Sequence, residues 1–342
     1  MADKKSERKL FVGIDLGTSK TAILASNEYK GEIPTVVGWP KDMIAKKMIS
    51  KEILFGDEAL KMRLSLDMCK PLEKGILKDD EKEKKAAGEI LRHAINLAKS
   101  DLKDPEIFAI VGAPAQTDHI NKTTLLEVAR EITENIMVVS EPFAVSYATE
   151  KMNNSLIIDM GAGTIDLCRM HGTFPESSDE VSLNKAGDHI DEEIYNRIMK
   201  SYKGAGITMN MVQKWKEEYG FVGDPKKRIE VSVPLDGKDK NIDITEEVKG
   251  GCESVMEDLV NAIKGLISSY DPEFQSEIKK NVVLAGRLSR LKGLKEYLQG
   301  RLSSLGDVRI SLVDDHIYTG ARGCMILAKD MPQDHWNQLK ME

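Results

Sequence analysis

At 342 residues the chain exceeds one ordinary compact core and suits two domains, or a domain pair around a cleft. With 41% hydrophobic and 31% charged residues it has the composition of a soluble globular protein, and a net charge of -7 argues against a nucleic-acid groove. No stretch approaches the roughly 18 apolar residues of a membrane span. Cys69, Cys168, Cys252 and Cys324 lie far apart, with no C-x-x-C pair and no histidine at ligand spacing; this argues against zinc and for free thiols in a reducing cytosol.

Residues 1–9 are polar and lysine-rich, and no apolar run long enough for a signal peptide follows them. The next segment reads Phe11-Val-Gly-Ile-Asp15-Leu-Gly17-Thr18-Ser19-Lys20-Thr-Ala-Ile-Leu24: an apolar run of strand length, Asp-x-Gly, hydroxyl residues, then a second apolar run. That order predicts a β-hairpin with a small-residue turn. Residues 79–102 predict a helix, its acidic start preceding Ile90, Leu91, Ala94, Ile95 and Ala98 on one face. His93 in that helix reads as a polar surface residue, and the charge run over 78–85 as a solvated helix start. Residues 108–111 predict a buried strand stopped by Gly112 and Pro114, 122–134 a helix, and 136–139 a short strand.

The second half opens on Leu156-Ile-Ile-Asp159-Met-Gly161-Ala-Gly163-Thr164-Ile-Asp166-Leu167, which repeats the hairpin pattern and suggests a chain of two related halves. Helices are predicted over 188–202 and 211–219. Strands over 228–233 and 241–244 form a hairpin turning near Asp236 and Gly237, and 246–270 predicts one long helix. A buried strand over 281–285 ends at Gly286, another strand covers 308–313, and a helix starts at about Gly320. Residues 331–342 carry Trp336 and Leu339 among polar residues, too little apolar surface for a membrane helix. Strands alternating with helices predict an α/β architecture.

No G-x-x-x-x-G-K-[ST] loop is present, which argues against the P-loop class. Asp15-x-Gly17-Thr18-Ser19 offers another way to hold phosphate. Small residues bring backbone N–H groups close enough to form an anion nest, and Thr18 and Ser19 add hydroxyl donors. Asp15 is repelled by phosphate and makes sense at this strand end only if Mg²⁺ or its water shell lies between them. Asp159, Gly161, Gly163 and Thr164 repeat the logic. Either segment alone reads as a plain hairpin turn; the pair predicts two turns facing across a cleft and clamping β- and γ-phosphates from both sides.

The two segments resemble the phosphate-1 and phosphate-2 motifs of the superfamily of actin, sugar kinases and DnaK-type chaperones, over nearly the whole chain. Gly56-Asp57-Glu58-Ala59 with Pro71-Leu72-Glu73-Lys74-Gly75-Ile76 resembles the actin stretch after phosphate-1. Val138-Val-Ser140-Glu141-Pro142-Phe-Ala144 resembles the connecting segment of bacterial actins. Lys185-Ala186-Gly187-Asp188 with Asp191 resembles the stretch after phosphate-2, Lys216-Glu217 the pair that touches ribose and base, and Val283-Leu-Ala-Gly286 the adenosine motif. Val-Gly-Trp39-Pro-Lys-Asp42 and Lys216-Glu-Glu-Tyr-Gly-Phe-Val-Gly223 are similar to the bacterial actins of magnetosome filaments.

The resemblance implies an actin-like (ribonuclease H-like, duplicated) fold with two lobes around a nucleotide cleft. Domain I would span 1–150 plus 318–342, with 32–78 as a small subdomain; domain II would span 151–317, with 190–270 as its small subdomain. It implies ATP and Mg²⁺ as cofactors, Asp15 and Asp159 holding the hydrated metal through waters, and Gly17, Thr18, Ser19, Gly161, Gly163, Thr164 and Gly187 around the phosphates. Lys216, Glu217, Gly286 and Arg287 would contact the nucleotide, and Glu141 would orient or deprotonate the attacking water. Read on its residues alone, Glu141 is a surface glutamate before a helix-starting proline. Asp166 either shapes the second turn or holds a water network, and Lys20 either touches phosphate or lies on the surface. One departure stands out: the usual Gly-Gly-x-Ser is Gly286-Arg287-Leu288-Ser289 here. If position 287 needs a left-handed backbone, arginine costs roughly 1–2 kcal/mol; alternatively its guanidinium contacts phosphate or stacks on adenine.

The activity implied is an ATPase that polymerises into cytoplasmic filaments and organises or positions magnetosomes. Its partners would be further copies of itself, through a head-to-tail contact that does not close, and magnetosome or other adaptor proteins; no nucleic acid and no direct membrane insertion are expected. The alternatives are a plasmid-segregating or cell-shape actin, and a sugar or small-acid kinase, which needs a second substrate pocket and an added domain. A DnaK-type chaperone would need a peptide-binding domain after residue 342.

Overall fold

The computed structural model describes residues 9–77, 80–114, 119–235 and 237–339. The polar start over 1–8, the Lys78 and Asp79 end of the charge run, the turn residue Asp236 and residues 340–342 lie outside the described residues.

In chain order the first half contains β1 (Lys9–Leu16), β2 (Lys20–Ala25), β3 (Lys30–Pro34), α1 (Glu81–Lys99), β4 (Glu106–Ala113), α2 (His119–Arg130), β5 (Ile136–Ser140) and α3 (Glu141–Ala148). The second half contains β6 (Asn153–Met160), β7 (Ile165–His171), β8 (Glu180–Leu183), α4 (Gly187–Ser201), α5 (Met209–Tyr219), α6 (Thr245–Glu253), α7 (Met256–Ser268), β9 (Val282–Ala285) and β10 (Ile310–Leu312). Helices α8 (Thr319–Asp330) and α9 (Gln333–Leu339) complete it. The first five-stranded sheet runs β5-β4-β1-β2-β3 and the second β10-β9-β6-β7-β8. In each, the hairpin arm pairs antiparallel and the later strands add in parallel beside the first strand, so both sheets follow one plan.

Alternation in β1 buries Leu10, Val12, Ile14 and Leu16, which meet Ile90, Ile95 and Val111 in the core of the first lobe. The core of the second lobe gathers Leu156, Ile158, Ile190, Ile194, Leu259 and Ile263. A third apolar cluster lies between the sheets and joins them through α3 and α8: Phe108, Phe143, Ile157, Cys168, Val283, Cys324 and Trp336. Gly323 of α8 lies so close to the Ala144 carbonyl of α3 that a methyl group there would overlap it. Trp336 is 1% exposed and meets Phe108 edge-on at 5.4 Å, so the apolar surface of the C-terminal segment is used inside the fold. Among the described residues no helix is long and apolar enough to cross a membrane, and the four cysteines are buried free thiols.

Two expectations change, and one sheet is new. The single helix over 246–270 is two helices, α6 and α7, parted at Ser254 and Val255. Gly251 has no room for a side chain against Ile194 of α4, and the Ser254 hydroxyl donates to the Gly251 carbonyl at 2.7 Å, drawing the chain out of the helix. His93 is not a free surface residue: its half-buried ring stacks on Phe55 at 4.1 Å and ties α1 to the small subdomain. That subdomain, between β3 and α1, holds a three-stranded sheet of Leu54–Phe55, Val37–Pro40 and Leu66–Cys69 that composition did not reveal.

Candidate functional site

Asp15 is the penultimate residue of β1 and Asp159 the penultimate residue of β6. Asp15 sits between Ala22 of β2 and Gly112 of β4; Asp159 sits between Asp166 of β7 and Ala285 of β9. The duplicated hairpins therefore carry their carboxyls to equivalent places.

The turns that follow face one another. The Thr18 hydroxyl accepts from the Gly75 N–H at 3.0 Å, and Thr35 donates from its hydroxyl to the Gly17 carbonyl at 2.7 Å. Across from them the Gly161 N–H donates to the Thr164 carbonyl at 2.9 Å, closing the second turn. The start of α4 braces that turn, with Asp188 N–H donating to the Ala162 carbonyl at 2.8 Å. Any side chain at Gly163 would overlap the Thr18 hydroxyl and the Gly75 backbone, so only glycine lets the turns meet.

Between the turns lies a cavity of about 330 Å³. From the first hairpin it is lined by Asp15, Gly17, Thr18, Ser19 and Lys20, and from the second by Asp159, Gly161, Gly163 and Thr164. Glu141, Gly187, Lys216, Glu217, Gly286 and Arg287 complete the set that the sequence singled out, and all of them line this one cavity. Asp166 does not: it lies wholly buried behind the second turn, where its carboxylate accepts from the Ser182 hydroxyl at 2.6 Å. Lys20 faces the cavity with its ammonium 3.6 Å from the Glu32 carboxylate.

Glu141, the first residue of α3, is only 7% exposed, and so is not the surface glutamate that its local sequence suggests. Burial first, then the charges of Asp15, Asp166 and Asp159, push its carboxyl well above the ordinary range. Burial and the charges of Asp15 and Asp166 do the same to Asp159. Burial raises Asp15 to about 6, with the Arg287 guanidinium opposing. Three carboxyls thus crowd the wall of one cavity, a place that favours a cation. Among the described residues no three His, Cys, Asp or Glu side chains converge as a direct ligand set; the carboxyls fit a hydrated ion better than a stripped one.

Lys216 lines the cavity, yet its buried ammonium is held 2.8 Å from the Asp191 carboxylate and 2.7 Å from the Gly187 carbonyl. Burial pushes Asp191 up to about 6 even against that ammonium. The charge of Lys216 is thereby used to fix the start of α4. Glu217 accepts from the Gln213 amide at 3.3 Å, one helical turn away; Gln213 also lines the cavity and was not singled out from the sequence.

At the adenosine-type motif the left-handed residue is Gly286, with φ 75°, and not Arg287. Arg287 opens a short turn over Arg287–Arg290, so the strain conditional on a left-handed residue there does not arise. Its guanidinium pairs with Glu32 of β3, on the other side of the cavity. Glu32, His316 and Ile317 line the cavity and were missed. Nothing in an edge strand or a strand-to-helix connection marks them; a contact between residues 32 and 287 exists only once both sheets are folded.

Residues 9–335 match the MreB/Mbl protein family. The "Actin-like protein MamK" of Paramagnetospirillum magneticum (strain ATCC 700264 / AMB-1) is 38% identical over 336 residues, covering 98% of this chain and 96% of the relative. The structure is similar to that of a MamK double helical filament, with a TM-score of 0.90 at 38% identity over 95% of this chain and 100% of that one. It is also similar to a non-polymerising MamK mutant bound to AMPPNP, with a TM-score of 0.76 at 38% identity and the same coverage of 95% and 100%.

Proposed function

This chain belongs to the MreB/Mbl family of actin-like proteins, and from that premise we propose that it is an ATPase that binds Mg-ATP between its lobes, polymerises into cytoplasmic filaments and positions magnetosomes. The observation that carries this reading is the meeting of the two turns at Thr18 and Gly163 over a cavity walled by Asp15, Glu141 and Asp159. Residues 1–150 with 318–342 act as one lobe, with 32–78 as its small subdomain, and 151–317 as the other, with 190–270 as its small subdomain.

Each turn donates backbone N–H groups to the phosphates, with the Ser19 and Thr164 hydroxyls beside them. Asp15 and Asp159 would hold a hydrated Mg²⁺ through its waters, and the ion would supply positive charge against the phosphates. Glu141 accepts a hydrogen bond from the attacking water, aligns it with the γ-phosphorus and takes its proton as a general base. Lys216 acts indirectly, by holding Gly187 and the start of α4 against the second turn. Glu217, Gly286 and Arg287 line the nucleoside side.

Self-assembly is supported by an apolar surface on the small subdomain. Met43 and Ile44 are each 69% exposed, Met48 78% and Leu64 84%. The Lys41 N–H donates to the Ser65 carbonyl at 3.1 Å, which sets the start of the Met43–Met48 helix beside Leu64. Exposed apolar patches of this kind mark protein contacts.

The test is phosphate release and light scattering on adding Mg-ATP. Assembly and turnover are expected together, with Glu141→Ala forming filaments that persist while release slows about 100-fold or more. Monomers that never scatter and never turn over ATP would contradict the reading.

A further inference from the structure

Arg287 follows β9 of the second sheet, and Glu32 lies on β3 of the first, 255 positions away, yet the two are ion-paired across the cavity. Glu32 pairs in register with Ala22, whose strand begins at Lys20, and the Lys20 ammonium stands 3.6 Å from the second oxygen of the same carboxylate. Glu32 therefore engages a cation from each lobe. All four residues line the cavity, and the exposures of the Glu32 and Arg287 side chains, 21% and 42%, put the pair at its rim.

We propose that Glu32 is a positioning residue that latches the cleft: its pair with Arg287 holds the lobes together over the cavity and slows exchange of the nucleotide. The lobes are also held together by the apolar cluster of α3 and α8, by the Thr18–Gly163 contact and, beside the rim, by Lys30 of β3, whose ammonium stands 3.1 Å from the Asp315 carboxylate of the 313–318 connector. Bulk solvent reaches the Glu32–Arg287 pair, so it can break and reform as the cleft breathes. A glycine at 287 could not make this contact. The latch reads Arg287 as a clasp between lobes, distinct from the phosphate or base contact that its motif suggests. Its kinetic consequence rests on the cavity being a nucleotide site; its mechanical consequence does not.

The experiment compares wild type with Glu32→Gln, using Glu58→Gln as a control because Glu58 pairs with Lys51 inside the small subdomain. Amide hydrogen exchange is first measured without nucleotide in the turns at 15–20 and 159–165. Glu32→Gln is expected to speed exchange there about threefold to fivefold, the size of one solvent-exposed pair. Release of a fluorescent ATP analogue, chased with unlabelled ATP, is then expected to accelerate by a similar factor. Wild-type release should quicken with added salt, and Glu32→Gln release should not. In Arg287→Gln, the further change Glu32→Gln should add nothing. Unchanged turn exchange in Glu32→Gln, or additive effects in the double variant, would overturn the latch. If the turns loosen but wild type binds no analogue, the latch stands and the nucleotide reading fails.

Discussion

Gly163 and Thr18, 145 positions apart, are in backbone-to-hydroxyl contact so close that a methyl group on Gly163 would overlap the Thr18 oxygen. One belongs to the turn of each hairpin, so this contact joins the two halves at the place where both carry their aspartates. The same added methyl would lie 2.7 Å from the Gly75 nitrogen. Gly163→Ala should therefore part the turns while leaving both sheets intact. The expected result is at least a tenfold loss of Mg-ATP affinity by calorimetry, about 1.4 kcal/mol, with an unchanged far-ultraviolet circular dichroism spectrum.

Asp159 is buried beside the charges of Asp15 and Asp166. Asn at this position keeps the shape and removes the charge. The nucleotide-free protein should melt a few degrees higher at pH 7.5, and the stabilisation that wild type gains from Mg-ATP should be lost. A thermal shift series with and without Mg-ATP reads both. A lower melting temperature with the Mg-ATP gain intact would contradict the role given to this carboxyl.

Away from the cleft, Asp179 accepts from the Arg169 guanidinium at 2.8 Å, the His171 ring at 2.8 Å and the Glu176 N–H at 2.9 Å. Burial alone would raise its pKa, but these bonds hold it below the ordinary 3.8. A depressed carboxyl stabilises the fold above its unfolded value, and that contribution is lost as pH falls through the folded value. Asp179→Ala should cost about 2–4 kcal/mol at pH 7, because it leaves the half-buried Arg169 without its carboxylate partner. The gap from wild type should narrow below about pH 4 in urea melts followed across pH.

Met48 and Leu64 stand out from the small subdomain and belong to none of its cores. Met48→Glu combined with Leu64→Glu should raise the protein concentration needed for sedimentable filaments about tenfold or more. Nucleotide affinity should stay as in wild type, since neither residue lines the cavity. Equal sedimentation of the variant would remove this surface from assembly.

The sequence made legible what is local or repeated. Two strand–Asp-x-Gly–strand segments announced both hairpins, and their likeness announced the duplicated α/β fold. The buried strands Glu106–Ala113 and Val282–Ala285 needed only the unbroken apolar runs over 107–111 and 282–285. The sheet of the small subdomain stayed hidden because its strands are two to four residues long and carry no long apolar run. The break between α6 and α7 turns on Gly251 packing against α4, a contact that helix propensity does not contain. The motif placed Lys216 at the cavity but could not show its ammonium committed to Asp191. Glu141 illustrates the same limit: the carboxylates that crowd it, Asp15, Asp159 and Asp166, come from β1, β6 and β7, and its local sequence shows none of them. Glu32 gave no signal, since its partner Arg287 is supplied by the opposite lobe.

The most direct test of the central claim is a structure of this protein with Mg²⁺ and a non-hydrolysable ATP analogue. The account predicts one triphosphate held between 17–19 and 161–164, with Glu141 facing the terminal phosphate and Asp15 and Asp159 facing the metal's waters. A nucleotide bound elsewhere, or one touching only one of the two turns, would contradict it.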